Sequence, residues 1–203
     1  MTEKKYYEFE YTKRTGIYTG LKFVQTAISS DKHRKVLHYV CVMEWEPVGQ
    51  IIVGTDGQRL HWSSIKGVEN GIYELAVRSK PKKAILSSIE DVGIYPAAVQ
   101  VLEQDFEGAK VRFGMHMYNR IGILSGEFSA LSILSEGLLI DAKLTNDLAI
   151  VGVEWQAMYS KRGEDATGIT ARAELEDETL IGARIMPLWI GYALSEDGSL
   201  LVK

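Results

Sequence analysis

Cysteine is almost absent from this chain of 203 residues: Cys41 stands alone, so the chain forms no internal disulfide and lacks the thiolates of an ordinary structural zinc site. Cys41 lies in the apolar run "LHYVCVMEW", where a small buried hydrophobe is expected rather than a reactive thiol. Long hydrophobic runs are missing too. No stretch approaches the roughly 18 consecutive apolar residues of a membrane-spanning helix, and "MTEKKYYEFEYTKR" has no apolar core of a signal peptide, so a cytoplasmic protein without a membrane partner is expected. Positive charge is not in excess either. The formal net charge of −4 excludes a uniformly basic nucleic-acid-binding domain, though not one with its cations gathered on one face.

Signatures of catalysis are equally scarce. Neither GxxxxGK[ST] nor GxGxxG occurs, no GxSxG elbow presents a serine, and "SEDGS" lacks the ligand series of a calcium loop. The histidines, 33, 38, 61 and 116, are too dispersed along the chain to form a local ligand set. No catalytic residue, metal or cofactor is therefore expected. An enzyme assembled from scattered side chains is a minor alternative.

What is present is patterned apolar sequence, with 46% hydrophobic and 25% charged residues, enough for a substantial core. "YYEFEY" alternates as a strand. In "TGIYTGLKFVQTAISSD", Ile17, Leu21, Val24 and Ile28 recur at helical spacing, with Phe23 and Ala27 widening the stripe and Thr15 placed to cap the start. Gly20 sits inside this helix against its propensity. Residues 36 to 46, 50 to 56, 58 to 64, 71 to 79 and 83 to 89 read as strands divided by Gly, Asn or Pro. The segment "GIYPAAVQVLEQDFEG" is either a short helix opened by Pro96 or an extended link.

The order then recurs. "AKVRFGM" is strand-like, and "MHMYNRIGILSG" is a short helix candidate with Met115, Tyr118, Ile121 and Leu124 on one side. Strands follow at 128 to 134, 137 to 143, 148 to 155, 168 to 175 and 180 to 190, and "SKRGEDATG" reads as an exposed loop. The fold class expected is α+β, with two repeats of strand, helix and several strands and the helices on one face of antiparallel sheets. The halves are residues 1–104 and 105–203. Lys13, Arg14, Lys22, Lys32, Arg34, Lys35 and Arg120 cluster around the two helix candidates. A solvated helix face and a phosphate-facing surface are both open readings of them.

The turn in "IIVGTDGQRLHW" is more distinctive. Asp56-Gly57 marks a hairpin, but a turn alone does not call for the Gln58, Arg59, Leu60, His61 and Trp62 that follow. With Ala27, Ser29, Asp31, Arg34 and Leu37 upstream, the run from Thr55 to Leu60 resembles the middle domain of the bacterial sliding clamp, the β subunit of DNA polymerase III. Gln58 replaces that family's usual histidine. "IGARIMPLWI" resembles the clamp's closing strand, with Trp189 in place of arginine, and "GIYPAAVQVL" resembles a further groove segment. The family chain has three domains, more than 203 residues can hold.

The resemblance implies a processivity factor with a DNA-clamp-like fold. Its groove for short peptides of DNA polymerases and other partners would be built from Leu37, Thr55, Gly57, Gln58, Arg59, Leu60, Pro96, Val101, Met186, Pro187, Leu188, Trp189 and Ile190. Arg59 and Gln58 would form its polar edge. It also implies that the helix-side cations face double-stranded DNA without sequence preference, and that a homo-oligomer closes around the duplex. The other reading is a non-ring regulatory interaction module that kept the fold.

Overall fold

The computed structural model describes residues 4–12, 16–46, 48–90, 92–96, 98, 102, 109–111, 130–133, 138–141, 144, 147–149, 153–162, 165–186, 192–194 and 200–202. Its frame is one antiparallel sheet of ten strands, ordered β1-β6-β5-β2-β3-β4-β12-β11-β10-β7. These are β1 (Tyr6–Glu10), β2 (Val40–Trp45), β3 (Gly49–Thr55), β4 (Arg59–Ser64), β5 (Gly71–Ser79), β6 (Lys82–Ser88), β7 (Ala109–Val111), β10 (Trp155–Arg162), β11 (Asp165–Glu174) and β12 (Leu180–Ile185). Two separate two-stranded sheets pair β8 (Ala130–Ile133) with β9 (Leu138–Asp141), and β13 (Tyr192–Leu194) with β14 (Leu200–Val202).

An earlier and a later run of strands meet in mid-sheet, where β4 pairs with β12. Across this seam Leu60 faces Arg184, His61 faces Ala183, Trp62 faces Gly182 and Ser63 faces Ile181. Because side chains alternate along a strand, β4 presents Leu60 and Trp62 to one side and His61 and Ser63 to the other.

Helix α1 (Ile17–Thr26) lies over the second side and straddles the seam. Tyr18, Leu21 and Val24 pack with Val40, Val42, Ile52 and Leu86 of the first stretch of strands. Phe23, one step around the helix, packs with Trp155, Ile169, Ile181 and Ile185 of the later strands. Gly20 stands at the point of closest approach. A Cβ there would lie 3.0 Å from the Ser63 Cβ and 3.5 Å from the Ile181 Cγ2, so the helix interior tolerates a poor helix former in exchange for contact with the sheet. The start of the helix is held from the β11–β12 turn, where the Asp177 carboxylate accepts from the Gly16 N–H at 2.5 Å. Burial raises the pKa of this carboxyl, but hydrogen bonds from Thr179 and the Gly16 amide outweigh it and hold it below the usual aspartate value.

A separate apolar cluster lies on the opposite face: Trp45, Ile51, Val53, Leu60, Trp62, Ala98 and Leu102. Ala98 and Leu102 are each helical, and residues 97 and 99–101 between and beside them lie outside the described residues. Trp45, Trp62 and Trp155 are all buried, in keeping with core roles.

Several expectations need correction. Lys35–His38 is a 3-10 turn, not the start of a strand, because adjacent Val36 and Leu37 do not alternate and Leu37 is drawn inward while Lys35 stays exposed. Residues 147 and 148 form a turn and β10 begins only at Trp155, since the Trp155 indole N–H returns to the Leu148 carbonyl at 2.8 Å. "SKRGEDATG" is not a loop throughout: β10 and β11 continue into it to the pair Arg162–Asp165, past a register shift at Ser160/Lys161. The repeat of strand, helix and strands is not shown, because the second helix candidate at 115–124 lies outside the described residues. No described helix is long and apolar enough to cross a membrane.

Candidate functional site

On the face away from α1, at the end of the seam, the sheet opens into a pocket of about 200 Å³. Its walls come from separate parts of the chain. Leu37 enters from the 3-10 turn, Thr55, Gly57, Gln58, Arg59 and Leu60 from the β3–β4 hairpin, and Pro96 and Ala98 from the segment after β6. Arg184 and Met186 enter from β12 and its end.

The hairpin is tightly determined. Gly57 has φ of +89°, a conformation that costs residues with a Cβ, and its N–H donates to Thr55 Oγ1 at 3.1 Å. Asp56 Oδ1 accepts from the amides of Gln58 and Arg59, both at 2.9 Å. Thr55 Oγ1 donates to the Arg59 carbonyl at 2.7 Å. The opposite wall is tied on by the Met186 N–H, which donates to the Gln58 carbonyl at 2.8 Å. Pro96 is placed by its neighbour: the buried Tyr95 hydroxyl donates to the Val53 carbonyl at 3.2 Å, and burial pushes that phenol's pKa up.

Arg59 lines the pocket and is also tied to the helix side of the sheet. Alternation along β4 turns it to the helix side with His61, and its guanidinium is fully engaged there. Nε bonds Asp56 Oδ2 at 3.1 Å, Nη1 bonds Asp147 Oδ2 at 2.5 Å, and Nη2 donates to the Thr26 carbonyl at 2.6 Å. The Arg59 side chain is only 16% exposed. It therefore clips the turn, the end of α1 and Asp147 together, while Arg59 also lines the pocket. Next to it His61 is fully buried, stacked on Phe23 with ring centroids 4.1 Å apart, and Nδ1 lies 3.1 Å from the Phe23 carbonyl and 3.0 Å from Thr26 Oγ1. Burial pushes its pKa down to about 3, so the imidazole is neutral.

Of the groove residues expected from sequence, Leu37, Thr55, Gly57, Gln58, Arg59, Leu60, Pro96 and Met186 are thus brought to one pocket. Val101, Pro187, Leu188, Trp189 and Ile190 lie outside the described residues. Ala98 and Arg184 were not anticipated. Period-two alternation from Met186 back along β12 would have found Arg184.

The basic residues are less unified. Lys22 is exposed on α1, whereas Lys32 and Arg34 are exposed on the chain between α1 and the 3-10 turn, and Lys35 at the start of that turn. Arg34 reaches the hairpin instead, donating to the Asp56 carbonyl at 3.4 Å and lying 3.8 Å from Asp31. Lys13, Arg14 and Arg120 lie outside the described residues. Among the described residues no cluster of His, Cys, Asp and Glu could hold a metal ion. Cys41 is half-buried, and burial pushes its thiol up to about 11.

A continuous antiparallel sheet carrying its helix on one face is the architecture of the DNA sliding clamps, and the chain has that fold. Among solved structures it is similar to the beta sliding clamp of C. crescentus, with 16% identity and a TM-score of 0.53 over 84% of this chain and 63% of that one. It is similar also to the DnaN sliding clamp of Bartonella birtlesii, with 15% identity, a TM-score of 0.56 and coverage of 91% and 65%. DNA polymerase III subunit beta of Borrelia burgdorferi matches with 13% identity, a TM-score of 0.54 and coverage of 92% and 65%. The chain therefore spans less than two thirds of the length of each. No protein-family model and no curated protein matches the sequence.

Proposed function

We propose that this protein is a sliding-clamp-like processivity factor that receives short apolar peptides of DNA polymerases and other partners in the pocket at the β4–β12 seam. The observation that carries this reading is convergence: residues remote in sequence, Leu37, Leu60, Pro96 and Met186, wall one small apolar site. Such a site, with a flexible Met at its mouth, suits several related ligands. In the C. crescentus clamp, PEG occupies the region assigned to tethering of a beta motif, which supports a peptide role for a pocket on this fold.

DNA would pass on the α1 side, held through phosphates without base reading, with Lys22 the described cation on that helix. Encirclement would require several copies in a closed ring. The proposed division places residues 1–104 in one clamp-like half and 105–203 in the other.

The test is fluorescence anisotropy with a labelled peptide ending in two leucines, titrated with the wild type and with Met186→Asp. Met186 is 47% exposed, so the variant should fold normally, and its binding should weaken by about tenfold or more. Equal affinity of the two proteins would overturn the assignment of this pocket.

A further inference from the structure

The loop that delivers Leu37 to the pocket is short and closed on itself. The Ser29 N–H donates to the Leu37 carbonyl at 3.0 Å, the Arg34 N–H to the Asp31 carbonyl at 3.0 Å and the Leu37 N–H to the Arg34 carbonyl at 2.9 Å. The Asp31 N–H donates to Ser29 Oγ at 3.0 Å, and His38 Nε2 lies 2.7 Å from the Asp31 carbonyl. Arg34 and Leu37 converge on one point of the hairpin. A Cβ on Gly57 would lie 2.6 Å from Arg34 Nη1 and 4.0 Å from Leu37 Cδ1. Gly57 and Leu37 both line the pocket, so the Arg34 guanidinium stands at its edge.

The same loop is basic. From Ser29 to His38 it carries Lys32, Arg34 and Lys35 against a single acid, Asp31. The Arg34 side chain is 57% exposed and its contacts are long, 3.8 Å to the Asp31 carboxylate and 3.4 Å to the Asp56 carbonyl, so they satisfy little of its charge. Lys32 and Lys35 are exposed, and neither has an ion-pair partner among the described residues. On the hairpin beside them the Asp56 carboxylate is committed to Arg59, and no Asp or Glu is among the described residues that line the pocket. A chain of net charge −4 thus gathers positive charge next to its apolar site. An acidic ligand would be repelled by the molecule as a whole and attracted there.

We infer that the loop bearing Lys32, Arg34 and Lys35 is a basic rim of the pocket, and that it selects partner peptides whose apolar residues are flanked by acidic ones. This rests on the peptide-binding role proposed above and specifies the partner. An extended peptide advances about 3.3 Å per residue, so acids within about four positions of the buried side chains come within reach of the long, exposed cations of the loop. Because the rim stays in water, it acts through its field. It speeds encounter and discriminates between peptides, and salt weakens it. The position of Arg34 against Gly57 favours a peptide over DNA as the ligand of these three cations, since the cation of the helix face is Lys22.

Two fluorescein-labelled peptide amides share an apolar end and differ in charge: Asp-Glu-Ser-Gln-Leu-Leu and Asn-Gln-Ser-Gln-Leu-Leu. Each is titrated by anisotropy with the wild type, with Lys32→Gln/Lys35→Gln, and with that pair combined with Arg34→Gln, at low and high salt. The readout is the ratio of the two affinities, which a general loss of binding would not move. The wild type should favour the acidic peptide about fivefold or more at low salt, since exposed pairs contribute little singly but act together here. The ratio should shrink at high salt, fall in the double variant and approach one in the triple variant. A ratio of one in the wild type, or a preference kept by the triple variant, would overturn the basic rim and leave the peptide pocket intact. If the triple variant keeps the preference and loses affinity for a DNA duplex, these cations serve phosphates and the inference falls. Failure of both peptides to bind would overturn the rim and the pocket together.

Discussion

Gly20→Ala sets two well-calibrated effects against each other. An alanine inside an exposed helix is worth about 1 kcal/mol over glycine, which favours the variant. Against this, the new methyl would overlap Ser63 Oγ and lie 3.0 Å from Ser63 Cβ. The hydroxyl can rotate away, giving up its 3.1 Å bond to the Ser64 carbonyl at a cost of about 1 kcal/mol. The Cβ cannot, because it is fixed to a central strand, so α1 must lift by a few tenths of an ångström off a fully buried seam. Overpacking of this kind costs about 1–3 kcal/mol. The net expectation is destabilisation of about 1–3 kcal/mol, read as a lower urea midpoint by fluorescence of the buried tryptophans. The cause is isolated by repeating the substitution in Ser63→Gly, which removes both clashing atoms. There Gly20→Ala should stabilise, with a coupling of about 2–4 kcal/mol in the double-mutant cycle. An increase in stability from Gly20→Ala alone would refute the close-approach argument.

Arg59→Met should lower stability by about 2–3 kcal/mol, less than a fully buried ion pair because the Asp56 and Asp147 side chains are 19% and 23% exposed; urea unfolding measures it, and Arg59→Lys should not restore it. A loss below 0.5 kcal/mol, on the order of one surface pair, would count against the clip. His61 gives a pH signature. Its folded pKa is depressed to about 3 from 6.5, so its contribution is intact above pH 6.5 and is lost progressively as pH falls toward 3. The slope is at most about 1.4 kcal/mol per pH unit, and the wild type should lose stability faster than His61→Leu between pH 6.5 and 4.5 in parallel urea titrations. Parallel curves for the two proteins would show that His61 is not buried in neutral form.

Local pattern was legible where one periodicity governed one element. The expected strand at 71–79 matches β5, and 83–89 differs from β6 by one residue, because alternation and turn residues agree there. The turn beside the pocket was legible because its side chains close it locally: Thr55 Oγ1 accepts from the Gly57 amide, and Asp56 Oδ1 from the amides of Gln58 and Arg59. What could not be read was which distant strand would complete each neighbour. Nothing local in "GARIM" says that it pairs with "RLHWS", and without that pairing Arg184 is merely one more polar residue in a strand. The part Arg59 plays in the fold was hidden for a related reason. The motif marked its importance, but only the position of α1 showed that its partners lie across the sheet.

Strand β4 has no expendable side. Leu60 walls the pocket while Arg59 and His61, its immediate neighbours, hold the helix and the distant Asp147. Point substitutions can adjust either surface separately. A gained or lost residue between Gly57 and Trp62 cannot, since a shift of one position sends an arginine into the apolar site and a leucine beneath the end of α1. Substitution in this chain is therefore free to change the chemistry of the pocket wall, but is held to a fixed count of residues from the turn to the seam.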